Sequence, residues 1–71
     1  GYDQAIVRGD PAARKFAIFY LRNDTLIAAD CVNAAPEFLT AKKLISAAAK
    51  LAPATLADTS TSMKDIAAAA A

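Results

Sequence analysis

Two apolar runs between Lys15 and Asn33 dominate the hydrophobic pattern of this chain. Asn23 and Asp24 separate the runs, and both residue types tolerate the positive φ that a two-residue hairpin turn requires. Each run carries apolar side chains on both sides of an alternating strand: Phe16, Ile18 and Tyr20 against Ala17, Phe19 and Leu21, then Leu26, Ala28 and Val32 against Ile27, Ala29 and Cys31. The pattern therefore predicts a β-hairpin that needs cover on both faces.

A third strand precedes the hairpin. Residues 5–7 form a short apolar run, and the sequence Gly9-Asp10-Pro11 is expected to end it, because proline cannot donate to a ladder. Strands that are neighbours in sequence usually pair, so three antiparallel strands are the simplest arrangement.

After Val32 the apolar spacing changes from two to about 3.6 residues, which indicates an amphipathic helix. Its expected inner face is Phe38, Ala41, Ile45 and Ala48. Asn33 is the predicted cap and Pro36 suits the first turn, and we expect the helix to run to about Lys50.

Two shorter helical segments are expected after Pro53. The first is a single turn at residues 54–58, anchored by Leu56. The second begins near Met63 behind a polar run that caps it, with Ile66 facing inward and an alanine-rich end that should fray. The predicted fold is α+β: a small three-stranded antiparallel sheet with helices packed on one face, formed by residues 1–71 as one domain.

Composition limits the classes of function. A chain of 71 residues with a net charge of +1 has room for one small domain, and it lacks the strong positive field typical of nucleic-acid binding. We expect no membrane contact, because no apolar run approaches the roughly 18 residues of a membrane span. The single cysteine, Cys31, allows no internal disulfide and favours a reducing, cytoplasmic setting.

The residues that carry chemistry are few. There is no histidine, and the only glycines are Gly1 and Gly9, so a glycine-rich phosphate loop is excluded. We predict no catalytic, cofactor-binding or metal-binding residues within the chain itself. Cys31 could be a nucleophile, but without a neighbouring base a buried, inert thiol is the better interpretation.

For each of several polar side chains, two interpretations are open. Asp30, in phase with apolar strand residues, is either a functional carboxylate or, as we favour, an acid at a sheet edge paired with Arg, Lys or a backbone donor. Tyr20 either binds a ligand or packs, and packing is favoured. The lysines Lys42, Lys43 and Lys64, which we expect early in two helices, form either a solvated surface or a basic patch for an acidic partner.

Four segments, in this order and spacing, cover nearly the whole chain: GYDQAIVRGDP, KFAIFYLRNDTLIAADCVN, EFLTAKKLI and LADTSTSMKDI. Together they closely resemble the C-terminal domain of FAD-dependent, NAD(P)H-linked ferredoxin reductases, the group of putidaredoxin reductase and rubredoxin reductase. The chain departs from that pattern at Ala34-Ala35, where Arg-Pro is usual, and at Ser62, where proline is common.

The resemblance implies a parent enzyme that passes electrons from NAD(P)H through FAD to an acidic [2Fe-2S] ferredoxin. It implies that this domain packs near the flavin, against separate FAD- and NAD-binding domains of the same chain, and that Lys42 and Lys64 help to dock the ferredoxin. Because Gly1 is not an initiator methionine, we expect a fragment of a longer flavoprotein that is not catalytic alone. The alternative is a free-standing α+β module that dimerises through its exposed sheet face and has no redox role.

Overall fold

A computed structural model describes residues 1–70 of the chain. Its elements are β1 (Gln4–Asp10), a 3-10 turn (Pro11–Ala13), β2 (Lys15–Arg22), β3 (Thr25–Val32), α1 (Ala35–Ser46), α2 (Pro53–Ala57) and α3 (Met63–Ala70). The three strands form one antiparallel sheet in the order β1-β2-β3. Helix α1 lies over β3, α2 lies over β1, and α3 packs against α1. The predicted α+β fold class is confirmed.

The hairpin turn forms where the sequence predicts it. Asn23 and Asp24 have φ values of 51° and 62°, the left-handed backbone that a two-residue turn uses to match the twist of its strands. The N-terminal segment is fastened to this turn, since Asp3 donates its N–H to the Leu21 carbonyl and accepts from the Asn23 N–H, each at 2.9 Å.

Strand β1 continues beyond the predicted end. Gly9 pairs with Phe16 and Asp10 with Lys15 in the ladder to β2, so the glycine lies within the strand. Its φ is 97°, and a Cβ at this position would lie 2.6 Å from the Lys15 carbonyl oxygen. Glycine is required because the backbone turns sharply here and the neighbouring strand lies against it.

The core lies between the helices and one face of the sheet. Phe19 and Leu21 of β2 are fully buried there, with Leu56 of α2 and Ile66 of α3 on the opposite side. Leu56 anchors its single turn and Ile66 faces inward, as predicted. Burial of these side chains is the largest stabilising contribution available to so short a chain.

A bulge in β3 changes the phase expected for that strand. Tyr20 pairs with Ala28 but Leu21 pairs with Leu26, so Ile27 has no opposing residue. The extra residue turns Leu26 to the core face, while Ala28, Asp30 and Val32 keep the other face. The prediction that Leu26 and Asp30 share a face was wrong for this reason.

Helix α1 is rotated relative to the predicted inner face. Its buried residues are Ala41 and Leu44, whereas Phe38 and Ala48 are exposed. The predicted cap was also wrong: Ala34 takes the cap position, and no side chain bonds there. Asn33 instead has φ of 50° and donates its side-chain amide to the Arg14 carbonyl at 2.8 Å, which joins the end of the hairpin to the turn before β2.

Helix α1 ends at Ser46 rather than near Lys50, because a Schellman motif terminates it. Ala48 has φ of 50°, and the N–H groups of Ala48 and Ala49 return to the carbonyls of Ile45 and Leu44, each at 3.0 Å. The reversed chain then pairs with the hairpin, since Leu26 donates to the Ala49 carbonyl. Glycine is the usual residue at this left-handed position, and alanine is strained there.

The last helix begins as predicted. The Ser62 hydroxyl accepts the Asp65 N–H at 3.1 Å, which is the bond an N-cap serine makes to the third helical residue. Serine therefore has a structural function at the position where the resembling family usually has proline. Fraying at the alanine-rich end stays a prediction, and Ala71 lies outside the described residues.

We predict that Ala48→Gly stabilises the domain by about 0.5–1 kcal/mol, because glycine adopts φ of 50° without the steric cost of a Cβ. Urea unfolding of the two proteins measures the difference. The control is Ala47→Gly at the preceding residue, which has φ of −84° and should lose stability. Equal destabilisation by both substitutions would contradict the assignment of Ala48 as the strained residue.

Candidate functional site

One face of the sheet is not covered by helix, and we call it the open face. Its rows follow from the register: Val7, Ile18 and Asp30 lie side by side across the three strands, as do Ala5, Tyr20 and Ala28, and Gly9, Phe16 and Val32. The side chain of Val7 is 46% exposed and Val32 is 39% exposed. The prediction of a sheet that is apolar on both faces, with helices on only one, is confirmed for the described residues.

A polar pair interrupts the open face near the hairpin end. The Tyr20 hydroxyl donates to an Asp30 carboxylate oxygen at 2.8 Å, and the Tyr2 ring lies 4.7 Å from the Tyr20 ring. The hydrogen bond to Asp30 is the main reason that the pKa of Tyr20 lies above its ordinary value, with desolvation adding to the effect. Asp30 is on an edge strand, as favoured, but its partner is a phenol rather than Arg, Lys or a backbone donor. The Tyr20 ring therefore packs against the Tyr2 ring, and the Tyr20 hydroxyl binds the Asp30 carboxylate.

A second exposed surface lies on α1. Phe38 is 51% exposed and Leu39 is 60% exposed, and the Lys42 ammonium sits 5.5 Å from the centre of the Phe38 ring. A cation in that position is weakly attracted to the ring and is thereby oriented. This surface presents a positive charge beside apolar contact area, a combination suited to a protein partner.

Lys42 and Lys64 lie on the two helices that pack together, α1 and α3, and both are exposed. Lys64 is the second residue of α3, as expected. Lys42, however, lies in the second half of α1 and not early in it, and Lys43 occupies the last turn. A cation near a helix C-terminus is favoured by the helix dipole, so α1 is a better support for positive charge than the sequence suggested.

Arg8 was missed by the sequence analysis. It lies on the core face of β1, opposite Ala17, and is only 6% exposed. Its guanidinium donates to the carbonyls of Leu56 at 3.3 Å and Asp58 at 2.8 Å and to that of Thr61, and its Nε lies 3.9 Å from a Glu37 carboxylate oxygen. Its position in the strand was the available signal. Arg8 lies two residues after Ile6 and therefore on the same face of the strand as this apolar residue.

Cys31 is half-buried rather than fully buried, on the core face of β3 beside Ala29. Desolvation raises the pKa of its thiol, and the charges of Glu37 and Asp30 act in the same direction. The reactive thiolate is thereby disfavoured, which agrees with the interpretation of an inert thiol.

The part of the chain that the structure describes offers no cradle for a dinucleotide. A phosphate loop needs glycines in a turn that leads from a strand into a helix, whereas Gly9 leads into a short 3-10 turn and then strand β2. Among residues 1–70 no three acidic, cysteine or histidine side chains gather as metal ligands. Within that same range no helix has both the length and the apolar character needed to cross a bilayer.

The sequence profile of the family described as "Reductase C-terminal" matches residues 1–67. This chain belongs to the Reductase C-terminal family. Among curated relatives, a ferredoxin–NAD(P)(+) reductase of Sphingomonas sp. is 47% identical over 75% of this chain. Putidaredoxin reductase of Pseudomonas putida is 43% identical over 99% of it, and the ferredoxin reductase subunit of a 5,5'-dehydrodivanillate O-demethylase from Sphingobium sp. is 37% identical over 96%.

Comparison with a solved structure also supports the assignment of this chain to the Reductase C-terminal family. The chain matches part of a covalent putidaredoxin reductase–putidaredoxin complex with a TM-score of 0.92 and 43% identity, over 99% of this chain and 17% of that one. The three curated relatives are likewise covered over only 13%, 16% and 17% of their lengths. This Reductase C-terminal chain thus spans about a sixth of the proteins that it matches.

We predict that Asp30→Asn lowers the pKa of Tyr20 toward its ordinary value of 10.0, because the hydrogen bond to the carboxylate is the largest cause of the shift. Absorbance of the phenolate in a Tyr2→Phe background follows Tyr20 alone. Since the pKa is raised by folding, the stability that this bond contributes is fully present below pH 10.0 and is lost as the pH rises through the raised value.

Asp24→Asn is the matched control for that titration, since it removes one carboxylate from the same hairpin and the left-handed turn position accepts asparagine. The phenol should then titrate as in the Tyr2→Phe parent. An equal fall in pKa for both variants would show that the shift comes from general charge and not from the Tyr20–Asp30 bond.

Proposed function

We propose that this chain is the C-terminal domain of a flavoprotein that transfers electrons from NAD(P)H through FAD to an acidic [2Fe-2S] ferredoxin, and that it helps to dock that ferredoxin. The observation that supports this most directly is its match, at a TM-score of 0.92 and 43% identity, to part of a reductase in complex with its putidaredoxin. FAD and NAD(P)H would be bound by the FAD- and NAD-binding domains of the same parent chain, and the isolated domain would not catalyse.

The proposed contribution of this domain is electrostatic orientation. Lys42 and Lys64 are exposed on packed helices, and charge complementarity of this kind orients weak redox encounters and raises their rate at low salt. Phe38 and Leu39 lie beside Lys42 and add apolar contact that is insensitive to salt. The encounter would take place in the reducing cytoplasm, with which the single free cysteine is compatible.

We further propose that the FAD- and NAD-binding domains of the parent cover the open face, so that this domain packs near the flavin. The support is the apolar character of the face, with Val7 and Val32 substantially exposed, and the five-sixths of the length of putidaredoxin reductase that lies outside the matched segment. A monomeric protein rarely leaves such a surface bare. A second copy of the chain is the other occupant that the same apolar surface favours.

We predict that Lys42→Glu and Lys64→Glu in the full-length enzyme each lower kcat/KM for ferredoxin reduction about threefold to tenfold at low ionic strength. The reason is that each reversal replaces an attraction by a repulsion in the encounter with an acidic partner. Stopped-flow measurement of ferredoxin reduction over a salt series gives the effect, which should shrink as salt rises.

Lys50→Glu, at an exposed lysine outside the proposed docking pair, is the control because it alters net charge equally. Reduction of the flavin by NAD(P)H should be unchanged in all three variants. Ferredoxin kinetics that stay at the parent rate in a Lys42→Glu/Lys64→Glu double variant would refute the docking proposal.

For the open face, we predict that Val7→Glu destabilises the full-length protein by about 1–3 kcal/mol, because the new carboxylate would be buried without a partner against the neighbouring domains. Ala54→Glu, at an exposed position of α2 on the helical side, should cost little. Urea unfolding gives the stabilities, and sedimentation velocity separates the two occupants. If the parent protein is a dimer and Val7→Glu converts it to monomers, the open face is covered by a second copy. This result would contradict its covering by the FAD- and NAD-binding domains of the same chain.

A further inference from the structure

Arg8 is the one charged residue that is buried among residues 1–70. Burying a charge is costly, and a buried ion pair seldom stabilises a fold more than well-packed apolar residues of similar volume. A buried arginine that donates to three specific carbonyls therefore suggests that a particular geometry is being held.

The acceptors of Arg8 are three backbone carbonyls, one in the last turn of α2 and two in the segment that joins α2 to α3. They belong to Leu56, Asp58 and Thr61, and Thr61 comes three residues before Lys64. The planar guanidinium has several fixed N–H directions, so it can hold carbonyls from different parts of one turn at the same time. The start of α3, which carries Lys64, is thereby tied to strand β1.

The same guanidinium also reaches α1. Its Nε lies 3.9 Å from the Glu37 carboxylate, and Glu37 precedes Lys42 by five residues on that helix. The Glu37 contact is longer than the carbonyl contacts and is a weaker link. Arg8 thus connects the sheet to both helices that carry the proposed docking lysines, most firmly to α3.

A second set of bonds holds the turn itself. The Asp58 carboxylate accepts from the Ser60 N–H at 2.9 Å, from the Ser60 hydroxyl at 2.6 Å and from the Thr61 hydroxyl at 3.1 Å. The Ser60 bonds are the main cause of the lowered pKa of Asp58. The turn is therefore ordered from within by Asp58 and fastened to the sheet by Arg8.

We infer that Arg8 is a positioning residue for the docking surface: its bonds to the turn before α3 fix where Lys64 stands relative to Lys42. This role rests on the docking function proposed above. A docking pair acts only if both charges stand where the charges of the partner will be, and each long lysine side chain inherits its position from its helix. Arg8 does not itself meet the partner, since it is buried.

The test is a double-mutant cycle in the full-length enzyme with its ferredoxin at low salt. Lys64→Gln alone should lower kcat/KM for ferredoxin reduction about threefold. Arg8→Met, which keeps an unbranched apolar stem and removes the charge and donors, should cause a similar fall. It should also abolish the further effect of Lys64→Gln, because Lys64 is then no longer held in its position relative to Lys42. Arg8→Lys should behave like Arg8→Met, since one ammonium cannot hold three spread carbonyls.

The readout distinguishes positioning from a purely structural role. If Arg8 only stabilises the fold, the effects of Arg8→Met and Lys64→Gln on kcat/KM multiply, and the inference is overturned. Recovery of the parent rate by Arg8→Lys would overturn it as well, because charge alone would then be enough. Flavin reduction by NAD(P)H, measured in every variant, should stay at the parent rate.

If Arg8→Met does not fold, Asp58→Ala loosens the same turn without emptying the core, and it should abolish the effect of Lys64→Gln in the same way. A full Lys64 effect in that background would contradict the inference. If Lys64→Gln and Lys42→Gln have no effect even with Arg8 present, the docking proposal itself fails, and the positioning role fails with it. That pattern differs from the multiplying effects that would overturn the positioning role alone.

Discussion

The packing of one face of the β2–β3 hairpin against three short helices is the interaction on which the rest of the structure depends. Phe19 and Leu21 are fully buried there, where α2 contributes Leu56 and α3 contributes Met63 and Ile66. All of the helix in residues 1–70 is used for this purpose. The opposite face is therefore left without cover, although it is nearly as apolar, and this imbalance makes an adjoining protein surface the natural complement of the domain.

The two exposed surfaces have different character, which fits two different kinds of contact. The open face is an apolar sheet surface on which, within residues 1–70, Tyr20 and Asp30 form a hydrogen-bonded polar pair, and such a surface suits a permanent neighbour. The helical side carries Lys42 beside the exposed Phe38, with Lys64 on the helix that packs against α1, and this surface suits a partner that binds and leaves. A domain with one surface of each kind can sit on the body of an enzyme and still receive a soluble electron carrier.

Arg8 relates these two sides of the domain. It stands on the strand that forms one edge of the sheet, yet its donors end on the turn before α3 and near α1. A neighbouring domain that fixes the position of the sheet would therefore also fix, through Arg8, the positions of the helices that carry Lys42 and Lys64. The cost of burying the charge is offset by hydrogen bonds to three carbonyls and by the longer ion pair with Glu37, so the link is specific rather than strongly stabilising.

Several expectations failed where a residue depends on a distant partner. The inner face of α1 was misjudged because a face that contains Phe38 and Ala41 and a face that contains Ala41 and Leu44 both fit the helical period. The position of the sheet decides which of the two faces is buried. The end of α1 was misjudged because Ala48 gives no glycine signal, although pairing of residues 49–51 with the hairpin forces the chain to reverse there. Asn33 was misjudged as a cap because its amide is taken by the Arg14 carbonyl from another turn.

The sequence by itself determined the three strands, the Asn23-Asp24 turn, the single turn at Leu56, the start of α3 and the uncovered apolar face. These depend on alternation, turn chemistry and capping, which act between residues close in the chain. Only the tertiary structure decided the bulge opposite Tyr20, the rotation of α1 and the network around Arg8. The rotation of α1 and the Arg8 network depend on contacts between residues far apart in sequence. The bulge lies within the hairpin, but Leu26 on its core side is bonded to Ala49 from beyond α1, and no local pattern contains that information.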